Sequence, residues 1–263
     1  MKIYLLSLFL LFSSTVFAEN SFLKNKTIVG CENEEGYPPF IYRNKTSGEL
    51  EGYSVDILNL VFKGSGAQVN YRLLPWKRCM SYMSEGKLID IVLAAASTKE
   101  RRERYLFSNS FSKVHLAYFY DRERYPEGLN IRKPSDFNRF YEVCGMLGFV
   151  YGGYGLSREV KKSGRGFQQL IRRVVHKRCD TILVRYEVFK NLPKLYSNIE
   201  FFDRMKGEII PWRKDNPINF YFLARKDSAY HKHLLDFINK RMKQMKKTGE
   251  LKIIKEKYGL FSD

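Results

Sequence analysis

Any chemistry in this chain has to come from its charged side chains, and the densest group of them follows a greasy run. The stretch DIVLAAASTKERRERYLFSNSF, from Asp90 to Phe111, sets Lys99, Arg101, Arg102 and Arg104 beside Glu100 and Glu103, directly behind an apolar segment that ends in small residues. A guanidinium is always charged and presents paired N–H donors that match a carboxylate, so an arginine half-buried at a strand end selects acidic groups. Covalent and metal chemistry find no comparable support. His115, His176, His231 and His233 share no motif, and His231 with His233 reads as helix surface. There is no Ser-His-Asp order, no HExxH and no phosphate loop, so neither a metal nor another cofactor is expected. The four cysteines, Cys31, Cys79, Cys144 and Cys179, lack any CxxC pair, which argues against zinc and for disulfides. Three pairings are possible.

The elements that must position these groups follow an alternating pattern. KTIVGC (Lys26 to Cys31) is a short β run, and GYPPFIY is a proline-stiffened loop leading into extended chain. Ile57, Leu58, Val61 and Phe62 then recur at helical spacing until Gly64 and Gly66 end the pattern. VNYRLLP predicts a strand, Trp76 to about Glu85 a helix, and IDIVLAAA a strand. A second series predicts a strand at YEVCGML, helices from roughly Gly155 and from Phe167 to Lys177, a strand at DTILV, a helix near Glu187 to Leu192 and a strand at NIEFF. Strands alternating with helices imply an α/β fold with parallel or mostly parallel sheets covered on both faces. The last forty residues are helical and need a sheet to lie on, which the first series supplies. The chain therefore forms two domains, crossing near residues 115 to 120 and returning near 218 to 224. Cys31–Cys79 and Cys144–Cys179 are the favoured bonds, because each pair then falls inside one domain.

Met1, Lys2 and the apolar run to Phe12, followed by Val16-Phe17-Ala18, read as a secretory signal over residues 1–18. Its core of about ten residues is too short to span a bilayer, and no later stretch is long and apolar enough. No cysteine closely follows the cleavage point, so a lipid anchor is not expected. About 245 residues remain, enough for one large or two modest domains. Aromatic residues make up 15%, with 18 Tyr and 20 Phe, which argues against disorder. The net charge of +18 would suggest nucleic acid in an intracellular protein, but export argues against that partner. Much of the excess lies in KRMKQMKKTGELKIIKEK, which reads as the solvated face of amphipathic helices.

Several segments together resemble the family 3 periplasmic solute-binding proteins, the receptors of amino-acid-type ABC importers. They are YPPF (Tyr37 to Phe40); GELEGYSVDIL (Gly48 to Leu58); PWKRC followed by EGKLIDIVLAA; TKERRERYLFSNSF; RKPSDFNRFYEVCGMLG; and the tail LARKDSAYHKHLLDFINKRMKQMKKTGELKIIKEKYG. Each is weak alone; their order along nearly the whole chain carries the likeness. The resemblance implies a two-lobed periplasmic-binding-protein fold of type II, each lobe a mostly parallel sheet flanked by helices, with two hinge strands. Lobe 1 would be residues 22–115 and 219–263, lobe 2 residues 116–218.

By the same resemblance, Arg101 grips a ligand carboxylate at the mouth of the cleft, with Ala94, Ala96 and Ser97 around it. Arg102, Arg104, Glu100 and Glu103 are then surface neighbours. Glu34 stands where the family often has an acidic contact, Tyr37 and Phe40 form an aromatic wall, and Trp76 and Arg78 face the cleft. Across it, GFVYGG brings Gly148, Phe149 and Tyr151, with backbone amides meeting the ligand's negative group. Two positions depart from the family pattern: Ala96 replaces a hydroxyl residue, and Arg185 replaces the aspartate that holds an α-ammonium. An inward Arg185 disfavours a standard amino acid and favours an anionic or dianionic solute, although Glu34 could still accept an amine from the other lobe. The implied function is periplasmic capture of an amino acid or related small carboxylate by a monomer that docks on a membrane permease. Alternatives are a cyclohexadienyl-dehydratase-like enzyme with Glu34 as general acid, or a sensory ectodomain partner.

Overall fold

The computed structural model describes residues 21–140 and 142–260; the signal sequence expected over residues 1–18 lies outside them. Thirteen strands are present among the described residues: β1 (Thr27–Asn33), β2 (Tyr42–Arg43), β3 (Leu50–Glu51), β4 (Gln68–Leu74), β5 (Ile91–Ala96), β6 (Tyr105–Phe107), β7 (Ser112–Val114), β8 (Leu116–Asp121), β9 (Val143–Met146), β10 (Lys161–Gly164), β11 (Thr181–Arg185), β12 (Met205–Ile209) and β13 (Ile218–Arg225). The α-helices are α1 (Tyr53–Phe62), α2 (Trp76–Glu85), α3 (Lys99–Arg104), α4 (Phe167–Val175), α5 (Tyr186–Lys190), α6 (Leu192–Leu195), α7 (Ala229–Thr248) and α8 (Glu250–Lys257).

Two sheets organise the molecule. The first runs β4-β1-β5-β13-β6, with β7 also on β13; the second runs β10-β9-β11-β8-β12. In each, three neighbouring strands are parallel and the next is antiparallel, β13 against β5 and β8 against β11; β6 and β7 then pair antiparallel with β13, and β12 with β8. Burial explains the strand order. The central strand β5 is a continuous apolar run with nearly every residue buried, whereas the edge strand β4 alternates between exposed and half-buried positions. Period two also sorts β8: Leu116, Tyr118 and Tyr120 join Phe137, Tyr151 and Tyr154 on one face, while Ala117 and Phe119 join Phe167, Leu170 and Val174 on the other. The first sheet is likewise covered twice, by α1, α7 and α8 on one face and by α2 on the other.

Helix α7 accounts for much of the basic charge. Ser228 caps it by accepting from His231 N–H, and Leu234, Leu235, Ile238, Met242 and Met245 form its buried stripe. Lys240, Lys243, Lys246 and Lys247 are exposed on the opposite side. The disulfides are Cys31–Cys79 and Cys144–Cys179, with Cα separations of 5.7 and 5.9 Å. The first ties β1 to α2; the second ties β9 to the turn before β11.

The second half differs from its sequence reading at three points. Instead of a helix near Gly155 there is a single 3-10 turn, Gly152–Tyr154, closed by Gly155 at φ +69° and followed by β10. NIEFF is not a strand: Phe201 adopts a left-handed φ of +63°, which ends any extended run, and the strand begins four residues later as β12. The helix expected near Glu187 to Leu192 is divided into α5 and α6, with Pro193 in the first turn of the second.

Candidate functional site

The chain passes between the sheets at His115, between β7 and β8, and again where β12 leads to β13. The C-terminal ends of β1, β5 and β11 converge beside these crossings on a cavity that is partly open to solvent.

The first sheet supplies its floor. Strand β5 ends in Ala94, Ala95 and Ala96, whose small side chains leave room above the strand, and α3 starts just beyond. Thr98 Oγ1 caps α3 by accepting from Arg101 N–H at 3.1 Å. Arg101 is thus placed to fold back: its Nη1 donates to Ala96 O at 2.8 Å and its guanidinium lies 5.2 Å from the Trp76 ring. Trp76 opens α2 directly after Pro75. Tyr37 and Phe220 line the same space, their rings 5.9 Å apart.

The second sheet supplies the roof. Gly148, at φ +82°, brings its backbone against Trp76, whose Cδ1 would sit 3.3 Å from an added Cβ. Phe149 meets Tyr37 edge to face at 5.6 Å. Arg185 ends β11 and is 5% exposed; its Nη2 donates to Val150 O at 3.1 Å and its Nη1 to Tyr154 Oη at 3.4 Å, while Nε has no partner. Tyr154 Oη is in turn held by the carbonyls of Ala117 and Val184.

One acid faces these two cations. Glu32 is 2% exposed; its Oε1 accepts from Asn33 N–H at 3.0 Å and its Oε2 has no partner. Burial pushes its carboxyl up to about 8, with the Asn33 amide and the Arg101 charge pulling the other way. Burial likewise lowers Arg101, opposed by Glu32, but a guanidinium keeps its charge. Two cations and an uncharged acid converging between two lobes can hold an acidic small molecule. No cluster of metal-ligating side chains is found among the described residues.

Residues 28–261 match the bacterial extracellular solute-binding proteins, family 3. The chain belongs to that family. Similar proteins include the L-cystine-binding protein TcyA of Bacillus subtilis (strain 168), 23% identical over 90% of this chain and 82% of the relative. Among solved structures, a substrate-binding protein of an ABC uptake transporter from Streptococcus pneumoniae with bound histidine superposes with a TM-score of 0.72 at 19% identity, over 94% of this chain and 96% of the other. The ancestral amino-acid-binding protein AncCDT-1, a precursor of cyclohexadienyl dehydratase, gives 0.71 at 20% identity over 92% and 99%. The fold is the type II periplasmic-binding-protein fold, two lobes joined by two hinge strands. No helix among the described residues is long and apolar enough to cross a membrane.

In this solute-binding protein the cavity gathers Tyr37, Trp76, Ala94, Ala96, Arg101, Gly148, Phe149 and Arg185 of the residues singled out from sequence. The others lie elsewhere. Ser97 Oγ accepts from Arg102 Nε, beside the cavity. Glu34 is exposed in an adjoining groove with Lys77 and Arg165. Arg78 is exposed too, because two residues along α2 rotate it about 200° from Trp76. Phe40 is fully buried among Tyr53, Phe111 and Phe220. The Tyr151 hydroxyl turns back to Met146 N–H at 2.5 Å, in the core of the second lobe. Glu32, Ala95, Val150 and Phe220 line the cavity without having been singled out. Glu32 sits just past the run read as the first strand, and Val150 lies within the GFVYGG turn already singled out; Phe220 carried no signal, since only the crossing of the chain brings it there.

Contacts run between the two lobes of the family 3 protein beside this cavity. Glu35, in the loop after β1, accepts from Phe167 N–H at 3.1 Å, at the N-terminus of α4 in the other lobe, and from Tyr196 Oη at 2.8 Å. Lys45 Nζ reaches the carbonyls of Pro193 and Tyr196.

Proposed function

We propose that this protein captures a small carboxylate-bearing solute between its lobes in the periplasm and delivers it, as a monomer, to the membrane permease of an ABC importer. The lobes move as residues 22–115 with 219–263 against residues 116–218. The observation that carries the reading is Arg101: it is half-buried at the seam, faces a cavity walled by both lobes, and makes no ion pair with any described acid. A cation in that position is stabilised when an acidic ligand arrives, and contacts from both lobes favour the closed state. The cystine binding of TcyA and the histidine held by the Streptococcus pneumoniae relative point the same way.

Ligands that bind the folded state raise its melting temperature by mass action. In a thermal-shift panel of amino acids and small carboxylates, at least one compound should stabilise the wild type, and Arg101→Ala should abolish that shift while the unliganded variant melts cooperatively. An undiminished shift in Arg101→Ala would remove that side chain from the site. A catalytic reading has one observation in its favour: Glu32 is a buried acid, held protonated near neutrality beside two arginines, which suits a general acid. Turnover of prephenate or arogenate that disappears in Glu32→Gln would establish it over simple binding.

A further inference from the structure

The charge inventory of the cavity narrows the solute class. Arg185 gives its two hydrogen bonds to neutral oxygens, leaves Nε unsatisfied, and makes no ion pair with any described acid. Arg101 gives one hydrogen bond, also to a neutral oxygen. Each therefore keeps at least three N–H donors of its five for a ligand. Both open onto the same cavity. Outside Arg101 the approach groove continues the pattern, with Lys77, Lys99 and Arg104 along it against the single acid Glu100.

Resting on the solute-binding reading, we propose that the solute is a small dicarboxylate, one carboxylate held by Arg101 and the other by Arg185, with the Glu32 side chain as a further hydrogen-bond donor. A monocarboxylate zwitterion would neutralise one guanidinium and leave the other buried and unpaired, and its ammonium would enter a space already positive. A dianion pairs both, and a protonated Glu32 turns its partnerless oxygen into a donor toward it.

The charged and titratable groups facing Glu32 are Arg101 from α3, Arg185 from β11 and Tyr37 from the loop after β1. The arginines keep their charge, and burial drives the Tyr37 hydroxyl far above its ordinary range, so Glu32 is the group in the cavity that titrates near neutrality. Ionising it places a third negative charge beside a bound dianion. Affinity for a dicarboxylate must then fall as pH rises through about 8. A ligand held through an ammonium on Glu32 would show the opposite trend.

The test is calorimetric titration of the full-length mature protein with succinate, glutarate and adipate, each beside its half-amide, and with glutamine and arginine. At least one dicarboxylate should bind about 100-fold more tightly than its half-amide, the cost of leaving one buried guanidinium unpaired. In Arg185→Gln that ratio should collapse toward one, and Arg185→Lys, which keeps the charge, should restore part of it if the glutamine variant fails to fold. The wild-type affinity should drop by about tenfold between pH 7 and 9, and Glu32→Gln should abolish the drop. Binding of glutamine or arginine with every dicarboxylate silent, or affinity that climbs with pH, overturns the dicarboxylate and leaves solute binding standing. Silence from every compound of both classes overturns the two together.

Discussion

Glu32 and Glu34 are two positions apart and physically unlike. Strand β1 includes Glu32 and ends at Asn33, so the strand still fixes the direction of Glu32 into the cavity, while Glu34, beyond the end, turns to solvent. The sequence shows three similar acids ahead of YPPF, Glu32, Glu34 and Glu35, and no means of ranking them, because the end of a strand is the least legible part of a periodic pattern. The consequence for stability is testable. The Glu32 carboxyl rises from 4.5 to about 8 on folding, so the folded state binds the extra proton between those values. The stability it contributes is complete below pH 4.5 and is lost as pH climbs through about 8, at up to about 1.4 kcal/mol per pH unit. Urea unfolding of the unliganded protein from pH 5 to 8 should show that decline, and Glu32→Gln should flatten it; parallel curves would mean that Glu32 is already ionised in the folded protein. Arg101, by contrast, was singled out by its place in the family-like motif TKERRERYLFSNSF, and the structure sets it just behind β5, in a short helix capped by Thr98.

The legible elements were those with a strong period. The limits of α2, β5 and the closing helices α7 and α8 follow from apolar spacing and from glycine stops, with Gly86 and Gly249 both in the left-handed conformation after α2 and α7. The second lobe was harder because its elements are short: β10 is four residues of mostly polar sequence, and its neighbour β9, not its own pattern, makes it a strand. The disulfides brace the two places where a strand that carries site residues meets a neighbour. Cys31 immediately precedes Glu32, and Cys179 lies just ahead of the strand that ends in Arg185. They close loops of 48 and 35 residues in sequence separation, for which loop entropy gives about 4 kcal/mol each. Thiol titration of the denatured oxidised protein should find no free cysteine, and reduction should shift the urea midpoint strongly downward; an unchanged midpoint would mean that core packing alone holds these strands.

At the scale of the whole molecule, contacts that neither lobe can make alone tie the two together. Glu35 caps α4 of the opposite lobe, and Gly166, immediately before that helix, admits it only because it has no side chain: an added Cβ would lie 1.8 Å from a Glu35 carboxylate oxygen. Gly166→Ala should therefore displace Glu35 and weaken ligand binding about tenfold by favouring the open form. Small-angle scattering would show the liganded variant more expanded than the liganded wild type; equal compaction would take Glu35 out of closure. Local patterns in the sequence determined the α/β class and the main helices, because each is set by neighbours a few residues away; the cysteine pairs followed from the division into two domains, since their partners lie 48 and 35 residues apart. The order of motifs along the chain determined the family. Tertiary structure alone decided that Glu32 and Phe220 join Arg101 and Arg185 at one cavity, and that Phe40 and Tyr151 face the cores instead. Those contacts join residues scores of positions apart, and the direction of a side chain at the end of a strand is fixed by what packs on each face, which no short window of sequence contains.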